Sequence, residues 1–83
     1  MNNSTYIYYT DQTRGLKLGF NFVKKIREER LMSKAELARK ANVSPLTMGR
    51  VEKGKDCRME TKRKIILALD FKLSEKEKVF PED

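Results

Sequence analysis

The 83-residue sequence contains no histidine and no tryptophan, and only one cysteine, two prolines and four glycines. Without histidine, the chain lacks the commonest general base and the commonest zinc ligand. A single cysteine, Cys57, excludes a disulfide within the chain and favours a reducing compartment. For Cys57 itself, a half-buried packing role is a simpler interpretation than a redox switch. There is also no glycine-rich phosphate loop and no metal-ligand cluster, so we expect no enzyme, no cofactor and no metal.

Long apolar runs are missing as well. The longest aliphatic run, residues 65–69, is far too short to span a bilayer, and the start, MNNST, lacks the basic and apolar regions of a signal peptide. We therefore expect a cytoplasmic protein that does not enter a membrane. At this length the chain forms one domain, with no room for a large core or a buried enzyme cleft.

Acidic residues are fewer than basic residues. Lysine and arginine together number 19 against 12 aspartates and glutamates, which gives a net charge of +7. Most of the excess lies in residues 20–54, which hold nine basic and four acidic residues. A solvated surface is the simplest interpretation of a highly charged small protein. The concentration of the excess in one segment instead favours a polyanionic partner.

The middle of the sequence carries the signals of two short helices joined by a tight turn. Ser33, followed three residues later by Glu36, is the capping-box pattern that begins a helix. Asn42 tolerates the left-handed conformation needed to leave that helix sharply. Ser44 and Pro45 then suit the cap and the first position of a second helix, because proline needs no amide hydrogen there.

Apolar residues fall on one side of each of these helices. The residues that share a face are Leu37, Ala38 and Ala41 in the first helix, and Met48 and Val51 in the second. The small side chain of Ala38 suits a close crossing of the two helices, and Gly54 ends the second one. Two helices of about nine residues, apolar on their inner sides and joined by a short turn, form a helix-turn-helix.

This segment resembles the phage-repressor and Cro-type (XRE-like) helix-turn-helix family. The matching residues are Leu37-Ala38, Asn42-Val43-Ser44, Thr47-Met48, Arg50-Val51-Glu52 and Gly54, and the resemblance runs from about residue 22 to about residue 69. It implies an all-α, compact five-helix domain over residues 20–83, after an N-terminal extension of residues 1–19. It also implies a DNA-binding transcriptional regulator, such as a repressor, that binds a palindromic site as a homodimer.

The resemblance assigns roles to individual residues, with residues 44–53 as the recognition helix. Base edges would be contacted by Ser44, Pro45, Leu46 and Arg50. Phosphates would be contacted by Ser33, Lys34, Thr47, Lys53, Lys55 and Arg58, with Lys62 as a weaker candidate. For each lysine, a solvated surface charge is the alternative. The family also pairs an arginine of the first helix with a glutamate of the recognition helix, here Arg27 and Glu52.

The segments that flank the motif are predicted to be helical. A first helix would run from Asn21 to about Leu31, and Met32 would enter the core. Its inward residues would be Phe22, Val23 and Ile26. The family usually has a glycine where this chain has Leu31, so we expect that helix end to be built differently.

After the motif, a helix over residues 59–69 would bury Met59, Ile65, Ile66 and Leu69. Phe71 and Leu73 would then return to the core. Ser74 with Glu77 predicts a second capping box and a last short helix that ends before Pro81. Val79 and Phe80 would either close the core or meet a second subunit.

The N-terminal extension allows three interpretations. Residues 6–9, YIYY, have a strong strand preference, and their unpaired edge would be covered by pairing with the same segment of a second subunit. The alternatives are a disordered tail, or an arm whose Arg14 and Lys17 follow DNA. A second functional class also stays open: a protein-interaction module, such as an antitoxin or phage-type regulator, that acts mainly through a protein partner.

Overall fold

The computed structural model describes residues 20–81. In chain order its elements are α1 (Val23–Glu29), α2 (Lys34–Ala41), α3 (Pro45–Glu52), α4 (Met59–Ala68) and a 3₁₀ helix (Leu73–Lys78). The predicted all-α, five-helix domain is therefore confirmed. The interpretations of residues 1–19 concern a segment outside the described residues.

One apolar core holds these short helices together. α2 packs against α3 and α4, α1 against α3, and α4 against the 3₁₀ helix. The predicted inner faces of α2 and α3 are buried, and Leu37, Met48 and Ile65 are fully so. Val79 and Phe80 also belong to the core rather than to a free surface. The Phe22 amide donates to the Val79 carbonyl at 2.9 Å and thereby joins the two ends of the domain.

Hydroxyl caps begin both helices of the motif. The Ser33 hydroxyl accepts from the Glu36 amide at 3.0 Å, and the Glu36 carboxylate accepts from the Ser33 amide at 2.7 Å. Both bonds lower the pKa of Glu36 from its ordinary value, and the bond from the Ser33 amide has the larger effect. The capping box thus stabilises the fold above the ordinary glutamate pKa and loses this contribution as the pH falls through the lowered value. At α3, the Ser44 hydroxyl accepts from the Thr47 amide at 3.0 Å.

The N-cap residue of α1 is Phe22, not Asn21 as predicted, and the helix begins at Val23. Asn21, one residue earlier, links α1 to α3. Its side-chain oxygen accepts from the Val23 amide at 3.0 Å, and its amide group donates to the Val51 carbonyl at 2.8 Å. One side chain thus satisfies a free donor at the start of α1 and an acceptor near the end of α3. Asn21 therefore fixes the distance between the two helix ends.

The four α-helices end in the same way, in a residue with positive φ followed by a backbone bond that reaches back five residues. The residues with positive φ are Leu31 (56°), Asn42 (58°), Gly54 (88°) and Asp70 (67°). The bonds are Met32 to Arg27, Val43 to Ala38, Lys55 to Arg50 and Phe71 to Ile66. This geometry is the Schellman motif, which satisfies carbonyl groups that the helix leaves without partners.

The expectation that the end of α1 is built differently is therefore wrong. α1 ends at Glu29, and Leu31 adopts the left-handed conformation that a glycine would adopt. The Leu31 side chain is 92% exposed, so its own packing does not hold it there. The two backbone bonds of the motif outweigh a local strain of about 1 to 2 kcal/mol.

Replacing Leu31 by glycine should stabilise the domain. Glycine adopts a positive φ without a Cβ clash, and the larger entropy of the unfolded chain offsets part of the gain. We expect Leu31→Gly to raise the free energy of unfolding by roughly 0.5 to 1 kcal/mol in urea titrations. Glu29→Gly, at an exposed position with helical φ, is the matched control and should be destabilising. A loss of stability in both variants would contradict the strain argument.

Three expectations for the C-terminal part need correction. The capping carboxylate is Glu75, which accepts from the Lys72 amide at 2.8 Å; the Ser74–Glu77 box is not formed. The chain turns at Asp70, so the last helix begins earlier, at Leu73, and it is a 3₁₀ helix that is interrupted at Glu75. Met59 and Leu73 are not core residues, since they are 68% and 42% exposed. α4 buries residues of its second half, whereas Met59 lies in its first turn.

Candidate nucleic-acid interface

α3 presents one face to the core and the other to solvent. Met48 and Val51 are buried, whereas the four residues predicted to contact bases, Ser44, Pro45, Leu46 and Arg50, are all exposed. Leu46 is 73% exposed although it is apolar. Thr47, between them, is half-buried, and its side-chain oxygen accepts from the Ser44 hydroxyl at 2.9 Å. The outer face of α3 thus combines one guanidinium group, one hydroxyl group and two apolar side chains.

The start of α2 lies beside the exposed face of α3. A Cβ atom placed on Gly49 would lie 3.9 Å from the Lys34 Nζ atom, with no other contact within 4 Å. The Lys34 ammonium group therefore lies close to the backbone of α3 at its one glycine. Ser33, next to it, is exposed and caps α2. This arrangement places a cation and a helix N-terminus, two features that favour an anion, beside α3.

A polar depression lies on the other side of α3, between α3 and the start of α4. We call it the Arg50–Arg58 depression; its volume is about 330 Å³, and its lining includes the side chains of Thr47, Arg50, Asp56, Arg58 and Thr61. The Arg58 side chain, at the N-cap position of α4, makes no capping hydrogen bond. The Arg58 guanidinium group and the hydroxyl groups of Thr47 and Thr61 are donors that suit the oxygen atoms of a phosphate, while Asp56 adds one carboxylate to the same lining.

Several cations around α3 have no internal partner. Within residues 20–81 no hydrogen bond or ion pair is formed by the side chains of Lys34, Arg50, Lys53, Lys55 and Arg58. Three lysines elsewhere do form ion pairs: Lys40 with Asp70, Lys64 with Glu60 and Lys78 with Glu75. The unpaired charges make the surface around α3 attractive to a polyanion.

The contact predicted between Arg27 and Glu52 is present and removes a negative charge from that surface. Arg27 Nε and Nη2 donate to the two Glu52 oxygens at 2.6 and 3.2 Å, and Nη1 donates to the Met32 carbonyl at 2.8 Å. The side chains are 10% and 4% exposed. The hydrogen bond to Glu52 raises the pKa of Arg27, which stays charged. The pair ties α1 to the last residue of α3 and fixes the orientation of α3.

The family of this chain follows from a comparison with known protein families. The model of the helix-turn-helix family HTH_3 matches residues 23–76, from the start of α1 into the 3₁₀ helix. The chain belongs to the XRE-type helix-turn-helix family. Its function is therefore of the DNA-binding, transcription-regulator type, and the family is not an enzyme family. No curated protein sequence matches the chain significantly.

Not all the phosphate candidates of this helix-turn-helix domain lie together. Thr47 and Arg58 share the Arg50–Arg58 depression, whereas Lys53 lines a separate open depression beside α1. Lys62 lies 5.7 Å above the Phe80 ring, on the side of α4 that faces the C-terminal segment. Lys62 is thus placed away from α3.

Sequence reasoning missed two residues around α3. Thr61 lines the Arg50–Arg58 depression, and Asn21 bonds the end of α3. For Thr61 the available signal was its position three residues after Arg58, which places both on one face of α4. For the second bond of Asn21 the sequence holds no signal, because its partner is thirty residues away.

Two structural features are absent from residues 20–81. None of the helices in residues 20–81 combines the length and the apolar character that crossing a membrane requires. Among the same residues, no three His, Cys, Asp or Glu side chains lie close enough together to hold a metal ion.

Gly49 offers a test of how closely α3 approaches DNA. A methyl group fits there without a clash, so Gly49→Ala should stabilise α3, by about 1 kcal/mol in urea titrations. The same methyl group would keep a docked backbone away from the groove, and we expect weaker DNA binding in electrophoretic assays. A more stable variant with unchanged DNA affinity would show that the backbone at residue 49 stays distant from the bases.

Proposed function

We propose that the protein is a sequence-specific transcriptional regulator that inserts α3 into the major groove of a palindromic site and acts as a homodimer. The observation that carries this proposal is the exposed face of α3. It presents Arg50 and Leu46 to solvent between unpaired cations, while the nearby carboxylate of Glu52 is neutralised by Arg27. In this proposal residues 20–83 are the DNA-binding domain and residues 1–19 are an extension.

Base recognition would rest mainly on Arg50. A guanidinium group donates two parallel bonds to O6 and N7 of guanine, which is worth about 1 to 3 kcal/mol of discrimination. Leu46 has no hydrogen-bonding group and would press on a thymine methyl group. Ser44 and Pro45, at the start of α3, would reach the adjacent base pair. Direct readout is thus concentrated in one charged side chain.

Phosphate contacts would hold α3 in position from two sides. On one side are Ser33 and Lys34 at the start of α2. On the other is the Arg50–Arg58 depression, where Thr47 and Arg58 face the same space as Thr61. Lys53 and Lys55, after α3, would add attraction at longer range. Such contacts fix the register of the protein on the duplex without reading its sequence.

A dimer follows from the size of α3. Its eight residues span about 12 Å, which is enough to read only a few base pairs. Useful affinity and specificity therefore call for two copies on half-sites about one helical turn apart. Pairing of the YIYY segment, residues 6–9, with its copy is our candidate for the dimer contact.

Selection of binding sites from a random duplex library tests this function. We expect an inverted repeat with half-sites about one helical turn apart, bound by two copies of the chain. A deletion of residues 1–9 should retain half-site preference but bind the full site with lower affinity. If no sequence is enriched and weak binding disappears as salt rises, the basic surface is a generic polyanion surface and the proposal fails.

Leu46 supports a second candidate function. A leucine that is 73% exposed at the start of α3 is also suited to a protein contact, as in an antitoxin or phage-type regulator. Under this alternative, Leu46→Ala would abolish a complex isolated from the native cell and leave DNA binding unchanged. Under our proposal, the same variant would change the base preference at one position of each half-site.

A further inference from the structure

An apolar groove lies between α4 and the C-terminal segment. It is a groove of about 250 Å³, with a mostly apolar lining. Its floor is formed by Met59, Ile66, Leu73 and Phe80. Its edges carry Lys62, Arg63 and Lys76, and we call it the basic-rimmed groove. It shares no lining residue with the Arg50–Arg58 depression.

The floor of the groove exposes side chains that the pattern of the sequence places in a core. Met59 is 68% exposed and Leu73 42% exposed, and they lie on opposite sides of the groove, on α4 and on the 3₁₀ helix. Ile66 and Phe80, between them, are buried. Adjacent exposed apolar side chains with a polar rim are typical of a binding site for another molecule.

Two carboxylates near the groove, Glu60 and Glu75, are paired with residues outside its lining. Glu60 pairs with Lys64, and Glu75 accepts from Lys78 and from the Lys72 amide. Arg63 and Lys76 form no ion pair with another residue of the described domain. The Lys62 Nζ atom lies 5.7 Å from the centre of the Phe80 ring. The groove therefore combines an apolar floor with two cations, Arg63 and Lys76, that form no ion pair within residues 20–81.

We propose that the basic-rimmed groove binds an acidic, amphipathic peptide segment of a partner protein. The floor accommodates two apolar side chains one helical turn apart, and the rim pairs with carboxylates that flank them. A second copy of this chain fits poorly, because a two-fold contact would bring Arg63 and Lys76 against their own copies. Because the groove and the face of α3 are separate, the partner and DNA can bind together.

The test is a selection of short random peptides displayed against the full chain, with Lys76→Glu protein as the negative selection. We expect enriched peptides with two large apolar residues three or four positions apart and with flanking aspartates or glutamates. Their affinity should fall about tenfold or more with Lys76→Glu or Leu73→Ser and should weaken as salt rises. Leu67→Ser is the matched control, since Leu67 is 53% exposed and lines a different depression on α4.

Chemical-shift mapping by NMR separates the possible occupants. Shifts confined to Met59, Arg63, Leu73 and Lys76 on addition of a selected peptide support the proposal. If no acidic peptide is enriched, or if the enriched peptides bind Lys76→Glu equally well, the proposal is overturned. It is also overturned if vesicles of anionic phospholipid or duplex DNA, rather than the peptides, shift these residues. DNA-site selection with Lys76→Glu protein should be unchanged. Peptide binding and DNA binding are thus measured separately, and either proposal can fail without the other.

Discussion

Glu52→Ala should destabilise the domain by about 3 to 5 kcal/mol, the largest effect expected from a single substitution. The substitution leaves the Arg27 guanidinium group, which is 10% exposed, without its bidentate partner. Its remaining contacts would be the Met32 carbonyl at 2.8 Å and the Glu28 carboxylate at 4.0 Å. Neither replaces two bonds to a buried carboxylate. The variant should therefore lose folding before it loses any DNA contact, which urea titration followed by circular dichroism measures.

Two controls separate the buried charge from the lost packing. Glu52→Gln keeps the shape and one acceptor, so its effect should lie between those of the wild type and the alanine variant. The double substitution Arg27→Met with Glu52→Leu removes both charges and fills similar volume, and it should recover much of the lost stability. If Glu52→Ala costs less than about 1 kcal/mol, the pair behaves like an exposed ion pair and our account of how α3 is oriented is wrong.

The helix-turn-helix itself was predictable because its signals are local. The Ser33–Glu36 capping box and the Ser44–Pro45 start act within one helical turn, and both are formed as expected. Spacings of three and four placed Leu37 and Met48 correctly in the core. Such features depend only on neighbours along the chain.

Three features were not predictable from the local side-chain patterns. Leu31 adopts a positive φ because the bonds that close α1 outweigh its own preference, which a propensity argument cannot show. Met59 and Leu73 have the spacing of core residues, yet no element within residues 20–81 covers them. The Ser74–Glu77 pattern is a valid capping box, but the turn at Asp70 starts the last helix earlier, at Leu73. In each case other contacts outweigh the side-chain pattern on which the prediction rested.

Part of the candidate site was likewise predictable from the sequence, and part was not. The helix that would read DNA follows from its position in the motif, and the Arg27–Glu52 contact follows from the resemblance to the family. The neighbours of Arg50 could not be predicted in this way. That Arg58 and Thr61 share a depression with it depends on the angle between α3 and α4, which side-chain packing sets. Sequence reasoning thus identified the candidate residues, and the structure supplied their grouping.

Arg50→Ala should leave stability unchanged and relax base preference at one position of each half-site. Arg50 is exposed and its side chain has no hydrogen bond or ion pair within residues 20–81, so the fold does not depend on it. If it pairs with guanine, its loss should cost about 1 to 3 kcal/mol on the preferred site and less on a site with a substituted base pair. Binding of the selected duplex and of singly substituted duplexes measures this difference.

Lys34→Ala is the matched comparison, because Lys34 is an exposed cation beside the same helix but faces the phosphate backbone in our arrangement. Its loss should weaken binding to every duplex alike and reduce the slope of log affinity against log salt by about one unit. Arg50→Ala should instead change the ratio between duplexes. The two cations carry the same charge, so electrostatic attraction alone would make the two variants equivalent on all sequences. Such equivalence would contradict the placement of α3 in the major groove, whereas a difference confined to Arg50 would assign sequence reading to this side chain.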